Sequence, residues 1–266
     1  MALPLSELQM PDPQRVYATD GTSLATYTWG ELDAPVVVMV HGFASNTHDN
    51  WVLTGLERRL AASGLRVIGI DQRGHGRSEK PHEASAYSLG TLATDVETVL
   101  DTYLVDTASY LGYSLGGRVG WQVMIDLEDR IDRAVLGGVP DGTALDRIVL
   151  EEVQAHLDAG APITDPVTAS YIELTERVPG NDLPALLALA RGMRNDAIIA
   201  HPENAPQVPV LFVTGTEDTI LEGSRRLAEV TPEGRLVEVP GRHHFNTPAS
   251  CGFRDAATEF LTSERG

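Results

Sequence analysis

Unbroken apolar runs alternate along this chain with segments in which apolar residues recur every three or four positions. The runs show no regular polar alternation, so each predicts a strand that is buried on both faces. They cover residues 36–40, 65–70, 131–139, 208–214 and 235–239, and Tyr110 and Leu111 end another. Two earlier segments, 15–19 and 22–29, flank Asp20-Gly21, a pair typical of a two-residue hairpin turn.

Helical spacing fills the intervals between these strands. The clearest stripe repeats through Leu89, Leu92, Val96, Val99, Leu100 and Tyr103, and others lie near 51–61, 119–124, 221–230 and 249–261. Strands that alternate with helices build a parallel sheet with helices on both faces, because each connection has to cross over the sheet. We therefore expect an α/β fold with a mostly parallel, eight-stranded sheet.

The alternation stops between residues 141 and 206, where we predict no strand and three helices, near 144–158, 166–178 and 183–199. This segment carries 11 acidic and 4 basic residues. We interpret it as a helical cap inserted into a core domain formed by residues 1–140 and 207–266. Its apolar side chains either line a pocket or pack onto the core, and packing is favoured for each of Leu145, Ile148, Val149, Val153, Ile172, Leu186, Leu187, Leu189 and Met193.

Composition narrows the classes of partner. The 266 residues include 38 acids and 20 bases, a formal net charge of −18, which argues against nucleic acid and anionic membranes as partners. Cys251 is the only cysteine, so intramolecular disulfides and thiolate metal clusters are excluded. No apolar run reaches the roughly 20 residues of a membrane helix, and residues 1–13 lack the pattern of a secretory signal. We expect a cytoplasmic protein.

The sequence Gly112-Tyr113-Ser114-Leu115-Gly116 lies between a predicted strand and a predicted helix. A serine in this pattern occupies a strained strand-to-helix turn that exposes its hydroxyl above the sheet. Gly112 and Gly116 suit the close crossing of strand and helix, where a side chain would clash. The N–H of Leu115 at the helix N-terminus is available to bind a negative oxygen. Ser114 is therefore the candidate nucleophile.

A serine nucleophile needs a base, and a histidine suits this task. His243 and His244 follow the last predicted strand directly, which makes this pair the candidate base. His41 and His75 stand beside glycines in tight loops, and we expect both to be structural. The remaining histidines are expected to be solvated polar residues: His48, His82, His156 and His201.

The base in turn needs a carboxylate that holds its tautomer. Asp218 follows the penultimate strand and is the favoured acid, although an aspartate there also suits a cap for the helix that begins near Leu221. Asp141 and Glu217 remain as rivals. With Asp218, the acid, nucleophile and base follow the chain order Ser114, Asp218, His244, which is that of the α/β-hydrolase triad.

With these residues in place, the sequence resembles the α/β-hydrolase fold family over essentially its whole length. The resemblance depends jointly on four stretches: His41-Gly42-Phe43, Asp71-Gln72-Arg73-Gly74-His75-Gly76-Arg77-Ser78, Gly112-Tyr113-Ser114-Leu115-Gly116-Gly117 and Gly241-Arg242-His243-His244. Together they are specific for the superfamily but not for any substrate within it.

The resemblance implies several roles. The loop that contains His41 and Gly42 is expected to supply a second oxyanion N–H, that of Phe43. Asp71 and Arg73 are expected to brace this loop without touching the substrate. The spacing from the strand-ending proline in similar proteins points to His244, with His243 in a position usually held by a small residue or asparagine. A cap inserted at 141–206 matches the family, and neither a cofactor nor a metal is required.

Serine at position 114 favours acyl chemistry, because the haloalkane dehalogenases and epoxide hydrolases that share this resemblance use an aspartate there. We expect a carboxylesterase that acts on a small-molecule ester. A C–C bond hydrolase, a lactonase, a perhydrolase of the cofactor-free haloperoxidase type and an aminopeptidase are competing hypotheses, as is a ligand-binding protein without turnover. The acidic cap is expected to disfavour strongly anionic substrates. Nothing in the sequence predicts the oligomeric state or the preferred acyl group.

Overall fold

The computed structural model of the protein describes residues 10–263 and contains an eight-stranded sheet. Residues 1–9, which form most of the segment in which no secretory signal is expected, lie outside the described part of the chain, as do 264–266. The strands are β1 (Gln14–Tyr17), β2 (Ser23–Trp29), β3 (Val36–Val40), β4 (Arg66–Asp71), β5 (Ala108–Tyr113), β6 (Ile131–Gly137), β7 (Val210–Gly215) and β8 (Gly234–Val239).

The strand order across the sheet is β1-β2-β4-β3-β5-β6-β7-β8. Strand β2 runs antiparallel to both of its neighbours, β1 and β4, and every other neighbouring pair is parallel. A hairpin joins β1 to β2 as predicted, but its loop spans residues 18–22 and is longer than the expected two residues, with the Gly21 N–H donating to the carbonyl of Ala18 and Gly21 at φ 88°. The mostly parallel α/β architecture expected from the alternating pattern is confirmed.

Helices connect the parallel strands and cover the sheet. Within residues 10–263 the α-helices are α1 (Leu56–Ala62), α2 (Leu89–Thr102), α3 (Leu115–Asp126), α4 (Leu150–Ala159), α5 (Pro166–Arg177), α6 (Leu183–Gly192), α7 (Leu221–Val230) and α8 (Cys251–Thr262). Short helical turns lie at His48–Val52, Ala84–Ala86, Ala144–Arg147 and Pro202–Asn204. Within residues 10–263, no helix is long and apolar enough to cross a membrane.

Successive side chains of β3 point to opposite faces of the sheet and pack in two separate hydrophobic clusters. Val37 and Met39 of β3 pack in a cluster with residues of α1 and α8 on one face of the sheet. Val38 and Val40 pack on the other face with residues of α2 and α3. The strands therefore read as continuous apolar runs because helices cover both faces. Trp51 and Trp121 are both buried in these cores.

The chain between β6 and β7 consists of helices and loops and contains no strand, apart from one isolated bridge between Gly142 and Ile198. This bridge brings together the two ends of the cap segment. The helix predicted at 144–158 is interrupted, because Ile148 is extended and the N–H of Val149 donates to Thr168 Oγ1 instead of continuing a helix. The helix predicted at 183–199 ends at Gly192, which lies against the carbonyl oxygens of Ala84 and Tyr87.

Strand β5 and helix α3 cross so closely that two glycines are required. A Cβ on Gly112 would lie 2.3 Å from the carbonyl oxygen of Gly116, and a Cβ on Gly116 would lie 2.1 Å from the carbonyl oxygen of Val40. Both contacts involve backbone atoms of the central sheet and its helix, which cannot rotate away. The crossing sets the position of Ser114, which lies between the two elements.

We expect Gly116→Ala to destabilise the protein by about 2 kcal/mol or more, because the added methyl group overlaps backbone oxygen atoms. Gly90→Ala in α2 is the matched control, since its Cβ would meet only Ser88 Oγ, at 3.9 Å. That helical substitution is expected to be neutral or to stabilise by up to about 1 kcal/mol. Urea unfolding followed by circular dichroism measures both changes, and equal midpoints for the two variants would contradict the close crossing.

Candidate active site

The polar residues that follow the parallel strands converge at one edge of the sheet. Ser114 follows β5, Asp218 follows β7, and His244 lies in the loop after β8. These strands are parallel, so their carboxyl ends lie at the same edge, which is where open α/β sheets bind ligands. The fold thus brings Ser114 close to two side chains, one of which, His244, lies 130 residues later in the sequence.

His244 links the other two side chains through hydrogen bonds. Its Nε2 lies 2.8 Å from Ser114 Oγ, and its Nδ1 lies 2.8 Å from Asp218 Oδ2. The Asp218 side chain is completely buried, whereas that of His244 is 25% exposed. An imidazole that donates its Nδ1 proton to Asp218 leaves Nε2 free to accept the proton of the serine hydroxyl.

The rival residues lie elsewhere. His243 is exposed, and its Nδ1 accepts a hydrogen bond from the N–H of Phe245. Asp141 forms a bidentate ion pair with Arg226, at 2.7 and 2.8 Å. Asp218 also accepts a hydrogen bond from the N–H of Ile220 through Oδ1, so it stabilises the turn before α7 while Oδ2 holds the imidazole.

The backbone at Ser114 is strained, with φ 52° and ψ −110°. Such a conformation costs about 1–3 kcal/mol for a residue other than glycine and is typical of functional turns. The N–H of Ser114 donates to the carbonyl of Gly137 at 2.8 Å, which extends the β5–β6 ladder into the turn. The hydroxyl consequently leaves the sheet at its edge, half-buried and accessible from the cavity described below.

Tyr113 is a site residue that the sequence analysis missed. Its hydroxyl donates to the carbonyl oxygen of His244 at 2.6 Å, and its ring lies 5.5 Å from the imidazole between ring centres. The buried phenol thereby fixes the loop that carries His244. A tyrosine inside an apolar strand gives no sequence signal for this role.

The loop after β3 has almost all of its N–H groups engaged. Gly42 N–H donates to Asn50 Oδ1, Ala44 N–H to His75 Nε2, and Thr47 N–H to Asp71 Oδ1. Among the described residues, the Phe43 N–H has no hydrogen-bond partner. The Leu115 N–H is in the same state, because the first amides of a helix have no intrahelical acceptor. Both residues line the cavity with Ser114.

Two fully buried histidines hold this loop in place. His41 lies with Nδ1 2.7 Å from the carbonyl of Gly42 and accepts the N–H of Gln72 at Nε2. His75 lies with Nδ1 3.1 Å from the carbonyl of Arg73 and accepts the N–H of Ala44 at Nε2. Burial lowers the pKa of His41 to about 4 and that of His75 to about 3. Both rings are therefore neutral, as acceptance at Nε2 requires.

Asp71 and Arg73 differ in what they hold. Asp71 contacts the loop through Thr47 and accepts two more hydrogen bonds, from Tyr27 and Arg77. The Arg73 side chain does not contact the loop, contrary to expectation. Its guanidinium bonds Asp95 of α2 at 2.7 Å and Asp20 of the first hairpin at 2.7 Å, because the buried charge needs these carboxylates. Arg73 supports the loop only through its carbonyl group.

A cavity of about 450 Å³ opens above Ser114 and His244. The cap forms much of its wall through residues of the Ala144–Arg147 turn and of α5. Of the nine apolar cap residues singled out by their spacing, Leu145 lies on the wall. The other apolar groups that the cap contributes were not singled out by the sequence pattern: Ala144, Pro166, Val167, Tyr171 and Leu174.

The basic and acidic residues of the cap differ in their position relative to the cavity. None of its 11 acidic residues lines the cavity, whereas Arg147 and Arg177 do. The expectation that an acidic cap repels anions from the site is wrong for the wall itself, because the net charge of a segment does not specify which face each side chain occupies. The carboxylates Glu173, Glu176 and Asp182, considered for gripping an amine, all lie off this wall.

We expect acid to destabilise the fold through the two buried imidazoles. Their folded-state pKa values lie below the ordinary value of 6.5, so the unfolded chain takes up protons first as the pH falls. The stability that depends on their neutral form is complete above about pH 7 and falls by about 2 kcal/mol per histidine near pH 5. Urea unfolding between these pH values measures the loss.

His75→Gln supplies the comparison for this measurement. Glutamine keeps an oxygen that accepts the Ala44 N–H but removes one of the two titrating groups. The variant should lose about half as much stability on acidification as the parent protein does. A pH dependence identical to that of the parent would show that His75 does not carry the effect.

Known proteins that resemble this chain include several hydrolases. A family model described as the alpha/beta hydrolase fold matches residues 35–160. The AB hydrolase superfamily protein YfhM of Bacillus subtilis is 24% identical over 264 residues, covering 85% of this chain and 90% of that protein. The bifunctional esterase/perhydrolase DCH of Acinetobacter calcoaceticus is 25% identical over 271 residues, covering 86% and 92%. Epoxide hydrolase A of Mycobacterium tuberculosis is 32% identical over 142 residues, covering 53% and 42%.

Solved structures agree on the architecture. A hydrolase from Pseudomonas aeruginosa PA01 superimposes with a TM-score of 0.76 at 22% identity, covering 95% of this chain and 98% of that one. An esterase from Exiguobacterium antarcticum gives a TM-score of 0.76 at 21% identity, covering 94% and 100%. At these identities the likeness concerns the fold. With the family match over residues 35–160 and the sheet topology, it follows that the chain has the α/β-hydrolase fold.

Proposed function

We propose that this protein is a serine hydrolase that cleaves carboxylic esters of small or medium acyl groups. The observation that carries the proposal is the continuous pair of 2.8 Å contacts from Ser114 through His244 to Asp218, at the floor of a cavity. The same arrangement would serve no purpose in a protein that only binds a ligand, since a strained serine is costly to maintain.

In the proposed acylation step, Ser114 Oγ attacks the ester carbonyl as its proton passes to Nε2 of His244. The buried carboxylate of Asp218 stabilises the imidazolium that forms. The carbonyl oxygen becomes negative and accepts hydrogen bonds from the N–H groups of Phe43 and Leu115, a contribution of about 3–4 kcal/mol per donor in comparable sites. The imidazolium then protonates the leaving alcohol, and an acyl-serine ester remains.

Deacylation repeats these steps with water. His244 removes a proton from a water molecule, which attacks the acyl-serine carbonyl, and the same proton returns to Ser114 Oγ as the acid leaves. Each step conserves its protons within the triad and the substrate. The chemistry needs no metal and no organic cofactor.

The nature of the nucleophile separates ester hydrolysis from epoxide opening. A carboxylate that opens an epoxide forms an ester, which water can cleave. Serine would form an ether, which the same machinery could not release, so Ser114 favours acyl substrates over the epoxides named for one relative.

Perhydrolysis is a second candidate because it uses the same acyl-serine intermediate. One relative that matches along most of both chains is named a bifunctional esterase/perhydrolase. Hydrogen peroxide would then replace water in the second step and release a peracid. Hydrolysis of lactones and of C–C bonds uses the same triad, but no feature of the site favours either reaction over ester cleavage.

We expect Ser114→Ala to abolish hydrolysis of short 4-nitrophenyl esters, because no other hydroxyl takes its place beside His244. His244→Ala should lower kcat by several orders of magnitude, whereas His243→Ala should keep near-normal activity since its ring faces away from the triad. Initial rates of nitrophenolate release measure all three variants. If the parent protein hydrolyses no ester of any acyl length, the proposal fails.

Covalent labelling gives an independent check on the nucleophile. A fluorophosphonate should modify Ser114, and peptide mass spectrometry of the labelled protein should place the adduct on that residue. An adduct on a different serine would overturn the assignment even if esters are hydrolysed.

Asp218→Asn is expected to lower kcat by roughly a thousandfold or more, because an amide both loses the charge and favours the wrong imidazole tautomer. Asp141→Asn is the matched control, since Asp141 also follows a central strand but pairs with Arg226. It should change the turnover of 4-nitrophenyl esters by less than about twofold. Equal losses in the two variants would remove Asp218 from the proposed triad.

A further inference from the structure

The wall of the cavity carries an excess of positive charge. Arg118, Arg147 and Arg177 line it, against the two carboxylates Asp49 and Asp218. One of these carboxylates, Asp218, is bonded to His244, and Asp49 accepts a hydrogen bond from Ser45 Oγ at 3.0 Å. The protein as a whole has a net charge of −18. The cavity therefore has the sign opposite to that of the molecule around it.

Arg118 is almost completely buried, at 3% exposure, and has no carboxylate within ion-pair distance among the described residues. Two of its nitrogens donate to the carbonyl oxygens of Gly142 and Asp196, and its Nε–H has no hydrogen-bond partner. Burial lowers the pKa of Arg118 to about 10, so the group is still protonated at neutral pH. The carboxylates Asp196, Asp146 and Asp141 favour the charged form of Arg118 by electrostatic attraction at longer range, and an anion in the cavity would add a carboxylate in direct contact.

Arg147 and Arg177 are exposed residues of the cap, at the end of the Ala144–Arg147 turn and at the end of α5. Within the described chain, neither makes an ion pair, although carboxylates are almost twice as numerous as bases. Other arginines of this protein do find acidic partners: Arg59, Arg73, Arg130, Arg225 and Arg226. What distinguishes Arg147 and Arg177 from other arginines without an ion pair is their position on the cavity wall.

We propose that the ester cleaved at Ser114 carries a carboxylate group, which the arginines Arg118, Arg147 and Arg177 bind. This inference deepens the ester-hydrolase proposal and depends on it for the identity of the scissile bond. The favoured substrate class is the hemiester of a short dicarboxylic acid. Three guanidinium groups recognise a carboxylate by charge and by paired N–H donors, which a neutral acyl chain cannot use.

The size of the substrate follows from the cavity. Arg118 lies one turn into α3, four residues after Ser114, and both residues line the cavity. A small molecule in this cavity can therefore present a carbonyl group to Ser114 and a carboxylate to the arginines of the wall. A cavity of about 450 Å³ accommodates such an acid together with its alcohol group.

A pair of matched esters tests the proposal. Mono-4-nitrophenyl glutarate carries a free carboxylate, and methyl 4-nitrophenyl glutarate has the same acyl chain with that group neutralised. We expect kcat/KM of the parent protein to be at least about tenfold higher for the anionic ester. Ser114→Ala protein supplies the background rate of spontaneous ester cleavage.

Two double variants with the same net charge distinguish binding of the carboxylate by the cavity arginines from the effect of the net charge of the whole protein. Arg147→Gln with Arg177→Gln removes both exposed cavity arginines and should lower the ratio of kcat/KM for the anionic ester to kcat/KM for the methyl ester about tenfold. Arg191→Gln with Arg194→Gln removes the two cap arginines that lie off the cavity wall and should change neither rate. Arg118→Met should reproduce the selective loss, provided that thermal unfolding shows a folded protein.

Binding without turnover keeps this test independent of catalysis. Calorimetric titration of Ser114→Ala protein with monomethyl glutarate should show saturable binding, and the further removal of Arg147 and Arg177 should weaken it about tenfold. If the parent protein cleaves both esters equally well, the carboxylate proposal fails and the ester-hydrolase proposal stands. If neither ester is cleaved but binding depends on the arginines, the ester-hydrolase proposal fails and the anion site stands. Absence of binding and of selectivity together overturns the anion site.

Discussion

The crossing of β5 and α3 is the constraint on which the site depends. A side chain on Gly112 of β5 would overlap the backbone of α3, and one on Gly116 of α3 would overlap the backbone at the end of β3. The residue between them has no ordinary conformation available, and Ser114 is held with a positive φ. That strain lifts a hydroxyl above the sheet edge, where an imidazole carried by a different strand can reach it.

Around this crossing, buried polar groups fix each loop with respect to its neighbours. His41, His75 and Asp71 use the N–H groups and carbonyls of the loop after β3, and Tyr113 holds the loop that carries His244. Each of these hydrogen bonds lies in a region that water does not reach, so breaking one leaves an uncompensated polar group. Rigidity at the strand ends therefore follows from the cost of unsatisfied hydrogen bonds, whereas the unpaired N–H groups of Phe43 and Leu115 belong to residues that line the cavity.

The sequence predicted the sheet and the three polar side chains that meet at its edge, because both give local signals. Apolar runs mark buried strands, and Ser114, Asp218 and His244 each stand directly after one. Side-chain direction was the main source of error. The count of acids in the cap suggested a negative site, and Arg73 was expected to brace the loop. Both expectations depended on the direction of side chains, which the sequence does not show. Tyr113 and Asn50 gave no signal, because a tyrosine in a strand and an asparagine in a loop have many ordinary explanations.

The two ends of the cap meet at the bridge between Gly142 and Ile198, and Arg118 bonds to carbonyls at both ends. A segment that leaves the sheet and returns to it at one point can change in length without changing the register of the sheet. The strand ends and this part of the pocket wall can therefore vary independently of each other. Arg118 links the two, since any exchanged cap would still have to offer it two carbonyl groups.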